Sequence, residues 1–162
     1  MRYFVDCEFD GYGGRLLSLA LVSDDGRELY LAAHPDGELL QPWVFDHVVP
    51  AITVEGAAPE WCAPNDFGPR VAEYFAADTA SPWVIADWPD DIRYLCAVLI
   101  TGPGEMVNTH PRVDFSVRRV DVYPTGLAGA VQHNALWDAR ALRFALSDPG
   151  AMLARLGLKL PA

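Results

Sequence analysis

Asp6 and Glu8 stand two residues apart in the opening run RYFVDCEF. Asp91 stands where the apolar run SPWVIADW gives way to the amphipathic run DIRYLCAVLI, and Asp138 follows His133 by five residues in HNALWDARALRFAL. Four carboxylates and an imidazole form a donor set suited to hard divalent cations. Mg²⁺ takes oxygen ligands and is held by a few carboxylates, with water and substrate phosphate filling the rest of its shell. Two such ions about 3.5–4 Å apart can activate a water on one side of a phosphodiester and stabilise the leaving oxygen on the other. A histidine on a loop can take that water's proton, a contribution of about 10²–10⁴ in rate. An imidazole with an unperturbed pKa near ~6.5 suits that duty at neutral pH.

Each of these residues also has an ordinary reading. Side chains at i and i+2 of a strand share a face, so Asp6 and Glu8 could lie on the solvated face of an antiparallel sheet. Asp91 could be a first-turn carboxylate interacting with a helix dipole. Asp138 could be a surface acid paired with Arg140 or Arg143. Taken singly, each ordinary reading suffices. Their joint occurrence with His133 favours a site that holds metal.

The elements that must position these residues follow from periodicity. Residues 2–9 alternate, with Tyr3, Val5, Cys7 and Phe9 on one face and Arg2, Phe4, Asp6 and Glu8 on the other. LLSLALVS (16–23) reads as a second strand, and the turn at Asp24–Arg27 leads into a third, ELYLAAH (28–34), forming a meander. Pro42 opens a short helix that Pro50 ends, and AITVEGAAPEWCAPN reads as surface loop. Asn65 or Asp66 caps a helix carrying Val71, Tyr74 and Phe75 at helical spacing. SPWVIADW (81–88) is a fourth, buried strand, and Asp90 caps the helix over 91–100. TGPGEMVNTHP reads as loop, RVDFSVRRVDVY (112–123) as a fifth strand, and HNALWDARALRFAL as a helix capped by Asn134. AMLARLGLKL closes the chain with an amphipathic piece. This order predicts an α/β fold with a mixed sheet, a three-strand antiparallel meander plus parallel strands, flanked by helices.

At 162 residues the chain is expected to form one domain over 1–162, long enough to bury its own core. A net charge of −10 argues against passive nucleic-acid binding through basic surface. It is compatible with an enzyme that meets a polyanion through bound divalent cations, which invert the local field. Cys7, Cys62 and Cys96 have no metal-ligand spacing and read as reduced packing residues. With no signal-peptide pattern and no membrane-spanning apolar run, a cytoplasmic location is expected.

The chain resembles the DEDDh family of 3′-to-5′ exonucleases, which have a ribonuclease H-like fold. Asp6-Cys7-Glu8-Phe9 matches the family's first motif, Asp91 the second, and His133 with Asp138 the third. Within that family it is most similar to the small mycobacterial-type, polyadenylate-preferring 3′-exoribonucleases. RYFVDCEF carries that likeness, with Trp43-Val44, His47-Val48 and Pro50, with Asp91 and Leu95-Cys96, and with His133, Ala135-Leu136 and Asp138-Ala139-Arg140. The resemblance implies two Mg²⁺ or Mn²⁺ ions ligated by Asp6, Glu8, Asp91 and Asp138, with His133 as general base, and a homodimer. One departure concerns Asp87, which stands four residues before Asp91 where such enzymes often carry Asn. Asp87 is thus a rival for the second-motif role or an extra acid near the metals, with Asp91 preferred.

Phe9 and Trp88 are candidates for stacking on a terminal base, since base–aromatic stacking tolerates any sequence. Alternation turns Phe9 away from Asp6 and Glu8, which favours core packing for it. Trp43 and His47 read as helix packing or dimer contacts, and His34 and His110 as bystanders. GYGG lacks the helix start and Lys of a phosphate-binding loop. The expected function is hydrolysis of single-stranded or short RNA from the 3′ end to nucleoside monophosphates by a two-metal mechanism. The alternatives are a DNA exonuclease of proofreading or repair type and a non-catalytic binding module that keeps the fold.

Overall fold

The computed structural model describes residues 1–35, 40–109, 112–120 and 127–147. The alternating run becomes β1 (Arg2–Phe9). Next come β2 (Leu16–Ser23), β3 (Glu28–Ala32) and α1 (Pro42–His47). The middle of the chain forms β4 (Glu60–Trp61), α2 (Phe67–Ala76), β5 (Trp83–Ala86) and α3 (Pro89–Leu99). Then follow β6 (Ile100–Gly102), β7 (Glu105–Met106), β8 (Asp114–Val117) and α4 (Ala135–Ser147). The main sheet has six strands in the order β4-β3-β2-β1-β5-β8. β1, β2 and β3 pair antiparallel, and β3–β4, β1–β5 and β5–β8 pair parallel. This mixed α/β sheet flanked by helices is the expected class and is compatible with a ribonuclease H-like fold.

Both faces of the sheet are covered. On one, Tyr3, Val5, Leu19, Leu21 and Leu31 pack against Phe67, Val71 and Phe75 of α2 and Leu95 and Leu99 of α3. Gly68 lets these two helices meet, because a Cβ there would lie 2.2 Å from the Val98 carbonyl oxygen. On the other face, Ala135, Leu136 and Ala139 of α4 lie against Ala20, Val22 and Tyr30, and Leu142 reaches Phe4 and Ile85. Small side chains bring α4 close to β1 and β2. The face that carries Asp6 and Glu8 is therefore roofed by a helix rather than open to water.

Several boundaries differ from expectation. α3 begins at Pro89, with Trp88 rather than Asp90 in the cap position. Proline suits the first helical position because its φ is preset and it has no N–H to leave unpaired. The loop expected at 101–111 contains the β6–β7 hairpin, and the loop expected at 51–65 contains β4. A 3₁₀ turn at Val49–Ala51 carries the chain past Pro50. Of the strand expected at 112–123, β8 occupies Asp114–Val117, and 121–123 lie outside the described residues. His110 and AMLARLGLKL lie outside them as well. No helix among the described residues is long and apolar enough to cross a membrane.

Candidate active site

The site forms where two parallel strands end unevenly. β1 pairs with β5 only as far as Phe4 and Ile85, while its pairing with β2 runs on to Glu8 and, after a register irregularity, Phe9. Beyond Ala86 the chain turns through Asp87 and an extended Trp88 into α3. That turn brings Asp91 to the edge of β1, where its Oδ1 accepts the Cys7 backbone N–H at 3.2 Å. A carboxylate thus takes the bond a longer β5 would have made. Crevices at strand ends, where connections leave in opposite directions, are the usual ligand sites of α/β sheets.

α4 supplies the other wall. Asn134 caps it, with Oδ1 accepting the Trp137 N–H at 3.0 Å. The Asn134 amide also donates to the carbonyls of Ala51 at 2.8 Å and Ile52 at 3.2 Å and to the Tyr30 hydroxyl at 3.2 Å. These bonds fix where α4 starts relative to β3 and the turn after α1. His133 lies just before the cap with φ +63°, and its backbone N–H donates to Asp138 Oδ2 at 3.0 Å. Left-handed backbone at a non-glycine residue is uncommon; here it points the chain back over its own helix.

Replacing Asn134 with Ala should lower the unfolding free energy by about 2–4 kcal/mol, as the cap is lost and the Ala51 carbonyl loses its amide donor, while Ile52 keeps the Tyr30 hydroxyl. Asn134→Asp should recover none of the loss, since it keeps the capping acceptor but sets a buried carboxylate oxygen against the Ala51 and Ile52 carbonyls. Urea unfolding checks this, and a loss under about 0.5 kcal/mol for the Ala variant would contradict the assigned role.

Asp6, Glu8, Asp87, Asp91, His133 and Asp138 line one cavity of about 480 Å³. Their ligand atoms fall into two groups, each within a 4.8 Å span: Asp6 with Asp87 and Asp91, and Glu8 with His133 and Asp138. The two carboxylates of β1 are thus shared out, one to each group. His133 Nδ1 lies 3.9 Å from Glu8 Oε1. Asp91 is 2% exposed and Asp138 8%. Oδ2 of Asp6 and Oδ2 of Asp91 are buried without a hydrogen-bond partner among the described residues. None of the described residues lining the cavity is Lys or Arg. Buried, uncompensated oxygen donors of this kind fit divalent cations, whose charge they would match.

Burial, more than any neighbour, pushes the Glu8 and Asp91 carboxyls up to about 8. Asp138 adds most to the shift at Glu8, and Asp87 adds to that at Asp91. Asp6 is held well above the ordinary carboxylate range by burial and then by Asp91, Asp138, Glu8 and Asp87. The His133 imidazole is shifted down, by burial and then by His47, which favours its neutral form.

Folded chain without cation therefore keeps protons on these acids at pH values where the unfolded chain has released them. Stability is highest below about pH 4 as far as these groups are concerned, and falls as pH rises toward 8. We expect cation-free protein to melt roughly 3–10 °C lower at pH 8 than at pH 5, with Mn²⁺ restoring most of the difference at pH 8. Scanning calorimetry in EDTA checks this; a cation-free melting point that rises over that interval would contradict it.

Asp138 is not the surface acid of its ordinary reading, since Arg140 pairs with Glu28 at 2.6 Å and Arg143 donates to the Asp24 carbonyl at 2.7 Å. Phe9 stacks on Tyr94 at 4.6 Å and packs against the core, as its alternation implied, yet also forms part of the cavity wall. Trp88 is 47% exposed at the rim, with the Arg119 guanidinium 4.6 Å from its ring centre. Trp43 and His47 stack on one another, and the Trp43 and His133 rings meet edge to face with centres 5.1 Å apart. Gln41 and Gln132 also line the cavity; both precede helical segments without any periodic signal to single them out.

The chain is similar to 3′-5′ exoribonucleases of Mycobacterium tuberculosis. Proteins of that name from strains CDC 1551 / Oshkosh and ATCC 25618 / H37Rv are each 29% identical to it over 106 residues. The match covers 64% of this chain and spans 62% of the relatives' own length. No family model matches the chain.

Proposed function

We propose that this chain is a divalent-cation-dependent 3′-to-5′ exoribonuclease that removes nucleoside 5′-monophosphates from single-stranded or short RNA. One observation carries the proposal: two groups of three ligand side chains share a single cavity, with Asp6 in one and Glu8 in the other. The name of the mycobacterial relatives supports the substrate class and the polarity.

Asp6, Glu8, Asp91 and Asp138 would hold two Mg²⁺ or Mn²⁺ ions. Such ions supply charge stabilisation at a phosphoryl group and lower the pKa of nearby water. β1 fixes Asp6 and Glu8 on one rigid element. The start of α3 fixes Asp91, and the capped start of α4 fixes Asp138 together with His133. The neutral His133 takes a proton from the water that attacks phosphorus, and the 3′-oxygen of the preceding nucleotide departs. Phe9 and Trp88, on the cavity wall and rim, take the terminal base by stacking. Residues 1–162 act here as one exonuclease domain, in a homodimer.

Product identity tests the proposal. Oligoadenylate, mixed-sequence RNA and matched DNA are incubated with protein and Mn²⁺, and the released material is separated by liquid chromatography. Nucleoside 5′-monophosphates should appear from the earliest times, faster from RNA than from DNA. Cyclic or 3′-phosphates, or short oligomers released first, would overturn it; DNA hydrolysed faster than RNA would move the assignment to a DNA exonuclease.

A further inference from the structure

The segment Asp87-Trp88-Pro89-Asp90-Asp91 brings three acids to the start of α3, and they have different fates. Asp90 turns outward, where Arg93 pairs with it at 2.7 Å and the Trp88 indole N–H donates to it at 3.1 Å. Asp91 turns inward to β1. Asp87 also turns inward, with a ligand oxygen within 4.8 Å of those of Asp6 and Asp91. Among the described residues no side-chain hydrogen bond or ion pair engages the Asp87 carboxylate. Arg119 donates instead to the Asp87 backbone carbonyl at 3.5 Å.

We propose that Asp87 is a ligand in its own right, the third carboxylate of a cation site formed with Asp6 and Asp91. Two independent features point the same way. One oxygen from each of the three carboxylates lies within 4.8 Å of the other two. Two of the carboxylates, Asp6 and the 2%-exposed Asp91, each hold a buried oxygen with no hydrogen-bond partner among the described residues. Asp87 and Asp91 are therefore joint members of one site and not rivals for one role.

This inference rests on the cation-dependent reading of the site and makes the two cation positions unequal. Asp6, Asp87 and Asp91 offer three carboxylates, whereas the other position is offered two, by Glu8 and Asp138, with His133 beside them as the base. Affinity of oxygen sites for divalent cations rises with the charge of the ligands. Mn²⁺ should thus bind in two steps, the tighter one belonging to the group that contains Asp87.

Titration of cation-free protein with Mn²⁺, followed by calorimetry and by the paramagnetic resonance signal of free Mn²⁺, tests this without reference to activity. Asp87→Asn and Asp87→Ala should each weaken the tighter step by at least about tenfold and leave the weaker step unchanged. Cation-free melting points of both variants at or above wild type would establish that they fold. Two unaltered binding steps in both variants would overturn the role of Asp87 while leaving the cation site standing. A wild-type protein that binds no Mn²⁺ would overturn the inference and the cation-dependent reading together.

Discussion

Asp6→Asn should reduce RNA hydrolysis by about 10³-fold or more, the several kcal/mol that a misplaced catalytic cation forfeits. The same substitution should make the cation-free protein more stable. Asn occupies nearly the same volume as Asp, so packing against α4 is preserved. It removes a carboxyl whose ionised form is disfavoured by burial and then by repulsion from Asp91, Asp138, Glu8 and Asp87, so folding no longer requires a proton to be taken up there. Loss of that requirement is expected to raise the melting point at pH 8 by several degrees, while the stabilisation by Mn²⁺ shrinks. Paired measurements of turnover and of melting with and without Mn²⁺ check both halves. A variant that is inactive because it is unfolded would melt lower, and that result would contradict the account of Asp6.

His133→Asn should lower kcat by about 10²–10⁴-fold and leave Mn²⁺ binding within a few-fold of wild type. Asn is the appropriate replacement because the position has φ +63°, and Asn adopts left-handed backbone more readily than Ala. The His133 backbone N–H would still donate to Asp138 Oδ2, as it does at 3.0 Å in the native chain. The Asp138 carboxylate therefore stays in place, and only the titratable ring is lost. Single-turnover kinetics beside a Mn²⁺ titration separate the two effects. Equal losses in turnover and in cation affinity would make His133 a ligand and not the base.

The architecture is legible in the sequence to the extent that it rests on period. A strand's period of two places Asp6 and Glu8 on one face of RYFVDCEF, and the structure has them there, opposite Tyr3, Val5 and Cys7. Asn134 is legible as a cap because a polar residue precedes an apolar helical stripe. What covers the Asp6 face is not legible, because Ala135 and Ala139 carry little hydrophobic signal although their small size lets α4 lie close. The pairing of Asp87 with Asp91 is hidden by the start of α3: with Pro89 at the first helical position, the chain turns tightly enough for both to face Asp6. β4 and the β6–β7 hairpin are too short to leave a pattern, and their existence depends on neighbouring strands. The left-handed backbone at His133 has no composition signature either, since it follows from bonds that Asn134 and Asp138 make on folding.

The central claim is that these carboxylates run metal-dependent removal of nucleotides from an RNA 3′ end. A 20-mer of oligoadenylate labelled at its 5′ end, incubated with Mn²⁺ or with EDTA beside the Asp138→Asn variant and resolved on a sequencing gel, tests it most directly. The account predicts a ladder that shortens one nucleotide at a time from the 3′ end, only with Mn²⁺ and only in the wild type. Intact RNA in every lane, or an equal ladder from Asp138→Asn, would contradict it.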